Sequence, residues 1–389
     1  MKLAAILLSV AVITGAGFEL RLPPESDRPE AVAFRMLNQA PPDIQKALRL
    51  YTEALQADSV NAYRWADLGS AFQASGDLAK ARYCYSRAIQ LSGQIPPIWL
   101  RDANFHLDLD EPQAALISAA RVLKTVPDYD AVLFGYFDRF GLATRSILAQ
   151  IGDDRRATRA YTQYLIDSGL TPAAKIAQTE EVWSYAFNRG FMDGPLTRSY
   201  LDALLRARRY SGAQRDWVRF LGPERGDYPD HNLLFNGGFE KDPTGSSLDW
   251  QIQPSAGFDT IRQNSTVHDG QWALEIRFHG TANVSYANVI QRAYVTPGRY
   301  VLEAWIRTKG ITTNEGPRVE VFDPESPSRV NVSTDSFLGS QDWKLLSLTL
   351  TVPSGTSLLA VRVARHPSAK FDNKIEGAFW IDSVKLTKQ

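Results

Sequence analysis

The stretch WADLGSAFQASGDLAKARYCYSRA, residues 65–88, decides the fold of the first half of the chain. Trp65, Leu68 and Phe72 recur at helical spacing and line one face of a first helix. Gly76-Asp77 breaks that run and supplies the turn. Ala81, Tyr85 and Ala88 resume the spacing on a second helix. Gly69 and Ala81 are small where the two helices have to cross closely. A shift of 34 residues tests the reading. Ala81, Tyr85 and Ala88 map backward onto Ala47, Tyr51 and Ala54, and Trp65, Gly69 and Ala81 map forward onto Trp99, Ala103 and Ala115. The unit is therefore a helical hairpin that repeats, and stacked neighbours bury the apolar face one hairpin leaves open.

The order W-x2-L-G-x2-F followed by A-x3-Y-x2-A resembles the tetratricopeptide repeat, carried here by Trp65, Leu68, Gly69, Phe72, Ala81, Tyr85 and Ala88. That resemblance implies an all-α solenoid whose groove holds a protein partner. Beyond residue 130 the pattern fades. Ala157, Tyr161 and Leu165 suggest another second helix, and residues 182–187, 196–205 and 214–221 read as divergent repeats or a helical cap. The arginine-rich segment from Arg198 to Arg225 reads either as a solvated helical face or as a contact for an acidic partner.

At the N-terminus, Lys2 precedes an apolar run over residues 3–18. The run is shorter than the roughly 20 residues of a bilayer span. Residues 1–22 suit a signal peptide, with Gly15-Ala16-Gly17 as small residues before a cut, or an uncleaved membrane anchor. Either places the rest outside the cytoplasm, periplasmic, secreted or anchored at the inner membrane.

Composition changes near residue 229. Alanine dominates before it and valine is denser after it, which favours helix and then sheet. The breaker-rich segment 222–229 (GPERGDYP) reads as a linker between a helical domain, 28–221, and a β domain, 230–389. In the second part, alternating segments at 273–278, 300–307, 318–322, 345–352, 358–364 and 379–386 predict short strands of a two-sheet sandwich.

Ordered motifs run through this part. Asn236-Gly237-Gly238-Phe239-Glu240 precedes Trp250, and His268-Asp269-Gly270-Gln271-Trp272 follows. Pro297-Gly298-Arg299-Tyr300 leads to Trp305, and Trp343 and Trp380-Ile381-Asp382-Ser383 close the set. The set resembles carbohydrate-binding modules of families four and nine, which implies an all-β jelly roll of the galactose-binding type and a glycan ligand. The same resemblance implies a structural calcium ion held by Glu240, backbone oxygens of the turn 269–272, and Asp382; the family's frequent second acid is Ser383 here.

The whole chain of 389 residues has 43 basic and 43 acidic side chains, a balance that argues against nucleic acid as a partner. One cysteine, Cys84, excludes an intramolecular disulfide framework. No hydrolase, zinc-protease or phosphate-loop motif occurs, so no catalytic residue is nominated and a non-enzyme is expected. Strand alternation places Tyr300, Leu302, Ala304 and Ile306 inward, leaving Glu303, Trp305 and Arg307 outward. Arg277 and Arg362 point outward by the same rule, and Phe322 and Trp380 join them. These seven form the expected sugar platform, while Trp250 and Trp343 are assigned to the core. The expected function is an extracytoplasmic adaptor joining a protein partner to a glycan, in surface polysaccharide production or export. The alternatives are an assembly factor that binds no sugar, and an accessory subunit of a separate carbohydrate-active enzyme.

Overall fold

The computed structural model describes residues 28–171 and 173–389, so the expected signal peptide or membrane anchor over residues 1–22 lies outside the described residues. The chain forms two compact units. One comprises the chain up to Ser168 together with Ala177–Phe191, and the other comprises Gly169–Ile176 and Met192–Gln389.

The first unit is helical: α1 (Pro29–Asn38), α2 (Ile44–Ala57), α3 (Ala62–Ser75), α4 (Leu78–Ser92), α5 (Pro96–Asp108), α6 (Pro112–Thr125), α7 (Asp130–Arg139), α8 (Thr144–Ile151), α9 (Arg155–Asp167) and α10 (Ala173–Asn188). The starts of α2, α4 and α6 are Ile44, Leu78 and Pro112; those of α3, α5 and α7 are Ala62, Pro96 and Asp130. Each start falls 34 residues after the one before, the spacing of the apolar pattern. Local chemistry sets the boundaries. The Asn61 side chain accepts from Tyr63 N to start α3, Gly76 ends it in the left-handed region, and Asp77 caps α4 through Lys80 N. Gly69 sits against the Tyr85 ring and Cys84, so the hairpin closes where the side chain is absent. From α8 onward the period slips, and Leu148, Ile151, Tyr161 and Val182 continue the core without it.

The second unit begins with α11 (Gly194–Arg206) and α12 (Tyr210–Leu221), followed by ten strands: β1 (Gln251–Ile252), β2 (Phe258–Gln263), β3 (Ala273–His279), β4 (Tyr286–Tyr294), β5 (Gly298–Ile311), β6 (Arg318–Phe322), β7 (Asn331–Ser333), β8 (Gly339–Val352), β9 (Leu358–Arg365) and β10 (Glu376–Lys388). They form two antiparallel sheets, ordered β1-β4-β9-β6-β7 and β2-β3-β10-β5-β8. Successive strands switch sheets repeatedly, as in a jelly roll. The core between the sheets holds Leu274, Ile276, Leu302, Ala304, Val319, Val361, Val363, Phe379 and Ile381, with Trp250 and Phe239 stacked at one end.

Two expectations about boundaries change. Residues 192–221 group with the β-sandwich rather than with the helical repeats. The reason is an aromatic joint, in which Trp217 of α12 lies edge-on to Phe235 at 5.6 Å and Tyr228 lies edge-on to it at 5.9 Å. The segment 222–229 is accordingly no open linker. It forms a short 3-10 turn, Gly222–Arg225, and buries Tyr228. Three arginines of this region pair with carboxylates. Arg208 pairs with Glu325 at 2.8 Å, Arg215 with Asp216 at 2.9 Å and Arg225 with Asp230 at 3.0 Å.

Candidate functional site

Strand pairing decides which outward side chains share a surface. In the second sheet, Trp305 lies opposite Asp382, Arg307 opposite Trp380, and Trp380 opposite Glu275. Glu303 and Arg277 keep the same parity on β5 and β3. Five of the expected platform residues, Trp305, Glu303, Arg307, Arg277 and Trp380, therefore share the outer face of that sheet. Phe322 and Arg362 do not join them. They belong to β6 and β9 of the first sheet and face outward on the opposite side of the sandwich. The expected seven-residue platform is thus two surfaces, because alternation tells inward from outward and not one sheet from the other.

On the second sheet, the apolar surface is denser than expected. His268 stacks flat on Trp305, with ring centroids 3.8 Å apart and planes 13° apart. Trp343 meets His268 edge-on at 5.7 Å. Trp343 was expected in the core; it is instead half-buried on the outer face, on β8 two residues before the exposed Leu345. Its parity on β8 carried that signal. Trp380 is nearly covered, and the Arg307 guanidinium lies 5.9 Å from its ring. Arg277 donates from Nε and Nη2 to the buried Glu275, at 2.9 and 2.6 Å.

His268 is held by the turn 268–272, whose amides all meet carboxylates. His268 N and Asp269 N donate to Asp382 Oδ2 at 2.9 and 3.2 Å, and Gly270 N donates to Asp269 Oδ1. Gln271 N and Trp272 N donate to Glu240 Oε1 at 2.9 and 3.2 Å. Burial pushes the Asp382 carboxyl above its usual range, opposed by these amide bonds. Glu240 and Asp382 do converge on the turn the resemblance indicated. Amide hydrogens of the turn point at both carboxylates. Among the described residues no group of three His, Cys, Asp or Glu side chains is gathered for a metal. Calcium takes six to eight oxygens, and here both carboxylates are engaged by amide hydrogens of the turn.

The first sheet's outer face is organised around Glu320. Its carboxylate accepts from Arg362 at 2.7 Å and lies 2.8 Å from His366 Nε2. The Arg362 guanidinium also lies 4.6 Å from the Phe322 ring. These groups complete one another, so Arg362 acts first as the counter-ion of a buried carboxylate.

In the helical unit, α8 and α10 border a groove of about 480 Å³ lined by Arg145, Leu148, Glu181 and Tyr185. Large apolar side chains also stand exposed on this unit, among them Phe34, Tyr83 and Ile117. No helix of the described residues is long and apolar enough to cross a membrane.

No protein-family model matches the chain, and no curated protein matches it. Solved structures do. One titled "Family 16 Carbohydrate Binding Module-2" is 19% identical, covers 40% of this chain and 100% of its own, and has a TM-score of 0.29. One titled "CBM4 structure and function" is 15% identical over 40% of this chain and 99% of its own, with a TM-score of 0.30. A third, TmCBM61 in complex with β-1,4-galactotriose, is 21% identical over 41% and 99%, with a TM-score of 0.28. Likenesses this distant say nothing of this chain's ligand; its two-sheet sandwich rests on its own strand pairing.

Proposed function

We propose that this protein is a non-catalytic adaptor. Its β-sandwich holds a glycan on the outer face of the second sheet, and its helical unit, a tetratricopeptide-type solenoid, holds a protein partner. The observation that carries the glycan reading is the cluster of Trp305, His268 and Trp343 beside Trp380, edged by Arg277, Arg307 and Glu303. Flat aromatic surface suits the apolar faces of sugar rings, and the bordering charged groups suit their hydroxyls. The solenoid reading is supported by helix starts recurring every 34 residues. The apolar leader over residues 3–18 supports a place outside the cytoplasm, consistent with a role in surface polysaccharide production or export.

Affinity electrophoresis of the intact chain through gels containing soluble xylan, β-1,4-galactan or hydroxyethylcellulose tests the glycan reading. Retardation by one polymer, lost in Trp305→Ala, is the expected result. Unretarded migration in all three gels would overturn it. One observation favours a second reading, an assembly factor without sugar affinity: His268 already covers one face of Trp305. Under that reading both units capture proteins and no polymer retards the chain.

A further inference from the structure

The four sheet edges differ in how they are guarded. An edge strand presents unpaired amides and carbonyls, and folded proteins blunt it with short strands, charges, proline or bulges. In the first sheet the edges are β1 and β7, of two and three residues. In the second sheet one edge is β2, which carries Asp259 and Arg262. The other is β8, fourteen residues long. Thr308 pairs with Gln341 but Ile306 with Lys344, so a bulge interrupts β8 near its start and guards only that end.

From Lys344 to Val352, β8 pairs with β5 in unbroken register. Residues 345–352 read LLSLTLTV, with no charge, proline or glycine. Among the described residues, no backbone group of 344–352 finds a backbone partner outside the β5 ladder. Leu345 is 43% exposed, and Ser347, Thr349 and Thr351 are exposed on the same outer face. Leu346, Leu348, Leu350 and Val352 turn toward the core.

This alternation is complementary to itself. We infer that β8 pairs antiparallel with β8 of a second copy of this chain, centred on Leu348, and so joins two five-stranded sheets into one of ten strands. That centre engages all nine residues. Leu346 then faces the partner's Leu350, and Ser347 faces the partner's Thr349: apolar meets apolar on the inner side and hydroxyl meets hydroxyl on the outer side. Like charges do not meet. Lys344 faces the partner's Val352, and the two Lys344 residues stand eight positions, about 27 Å, apart. Asp342 lies outside the paired segment, beside Arg307. The contact is a closed two-fold that consumes both edges, so it ends at two copies. The paired segment spans about 30 Å in a single ladder. So narrow a contact falls short of the roughly 1,200 Å² of a stable complex, and a dissociation constant of about 10–100 μM is expected. The two-fold stands perpendicular to the sheet, so both outer faces look the same way. On the glycan reading above, one polymer then engages two platforms; the pairing itself does not depend on that reading.

Sedimentation velocity of the intact chain, from about 1 μM to about 500 μM, should show a monomer passing into a dimer across the expected range. Ser347→Lys combined with Thr349→Lys sets like charges opposite one another in this register, and Ser347→Glu combined with Thr349→Glu does the same. Each double variant is expected to associate about tenfold more weakly or less, and an equimolar mixture of the two should restore the dimer by setting lysine against glutamate. A wild type that stays monomeric throughout, a lysine variant that associates undiminished, or a mixture no tighter than its components would each overturn the inference. A second measurement needs no variant: amide hydrogen exchange over residues 344–352 of the wild type should slow as concentration rises through the dissociation constant. Exchange independent of concentration would leave β8 an open edge and refute the pairing.

Discussion

A methyl group added at Gly69 would sit 3.2 Å from the Tyr85 ring and 3.3 Å from Cys84 Cβ. Tyr85 cannot yield easily, because it stacks on Phe105 at 4.6 Å and its hydroxyl meets Ser70 Oγ at 2.9 Å. Gly69→Ala gains about 1 kcal/mol of helix propensity and costs about 1–3 kcal/mol by overpacking. A net loss of about 1 kcal/mol is expected, seen as a lower urea midpoint at unchanged slope. The sequence disclosed that close approach through the repeat. It did not disclose the role of Arg362, which looked like a sugar ligand and instead holds Glu320. Burial alone would raise the Glu320 carboxyl, but hydrogen bonds from Arg362 and His366 outweigh it and hold it below its usual range. Its contribution to stability is therefore present above the ordinary value of 4.5 and lost as pH falls through the lowered folded value. Arg362→Met should cost about 2 kcal/mol near neutral pH by leaving a mostly buried carboxylate short of its cation. Melting curves between pH 3 and 7 check this; the gap to wild type should narrow on the acid side.

Elements differ in how plainly they announce themselves. The helices from α2 to α7 carry their period in their residues, and β6 falls at the expected 318–322. Strands β2 and β4 are hard to read from the sequence because their alternation is blurred. β2 reads FDTIRQ with apolar Ile261 outward and exposed, and β4 reads YANVIQRAY with Gln291 buried. That glutamine is tolerated because it donates to the carbonyls of Phe235 and Leu248. The turn 268–272 belongs to this scale too, since carboxylates from two distant segments fix it. Glu240→Ala frees the amides of Gln271 and Trp272 and is expected to cost about 1–2 kcal/mol. The loosened turn should also unstack His268 from Trp305, which tryptophan fluorescence would report as changed intensity without loss of far-ultraviolet dichroism.

At the scale of the whole molecule, the joint of Trp217, Tyr228 and Phe235 makes α11 and α12 part of the β-sandwich's folding unit. Further ties are Tyr210 and Arg208 to Glu325, Arg198 to the Thr244 carbonyl, and Lys241 to Glu224. A fragment of residues 192–389 should therefore fold with sharper and higher melting than one of residues 230–389. The shorter fragment uncovers Phe235 and forgoes about 3–5 kcal/mol, the scale of losing a packed tryptophan. Scanning calorimetry of the two fragments decides the matter, and equal melting temperatures would refute the joint's role.

The sequence by itself determined the repeating helical hairpin, the change from helix to strand, and the inward or outward sense of each side chain in the recognised strands. Those properties are local. They follow from a period of about 3.6 residues in helices and 2 in strands, so a short window suffices to read them. Tertiary structure alone decided which outward side chains share a surface. Trp305 and Trp380 meet on one sheet while Phe322 and Arg362 fall on the other. It also brought Asp382 to the amides of a turn more than a hundred residues earlier in the chain. The physical reason is that a strand's sheet is set by the hydrogen-bond partner it finds across long crossovers, and no periodicity within the strand encodes that partner.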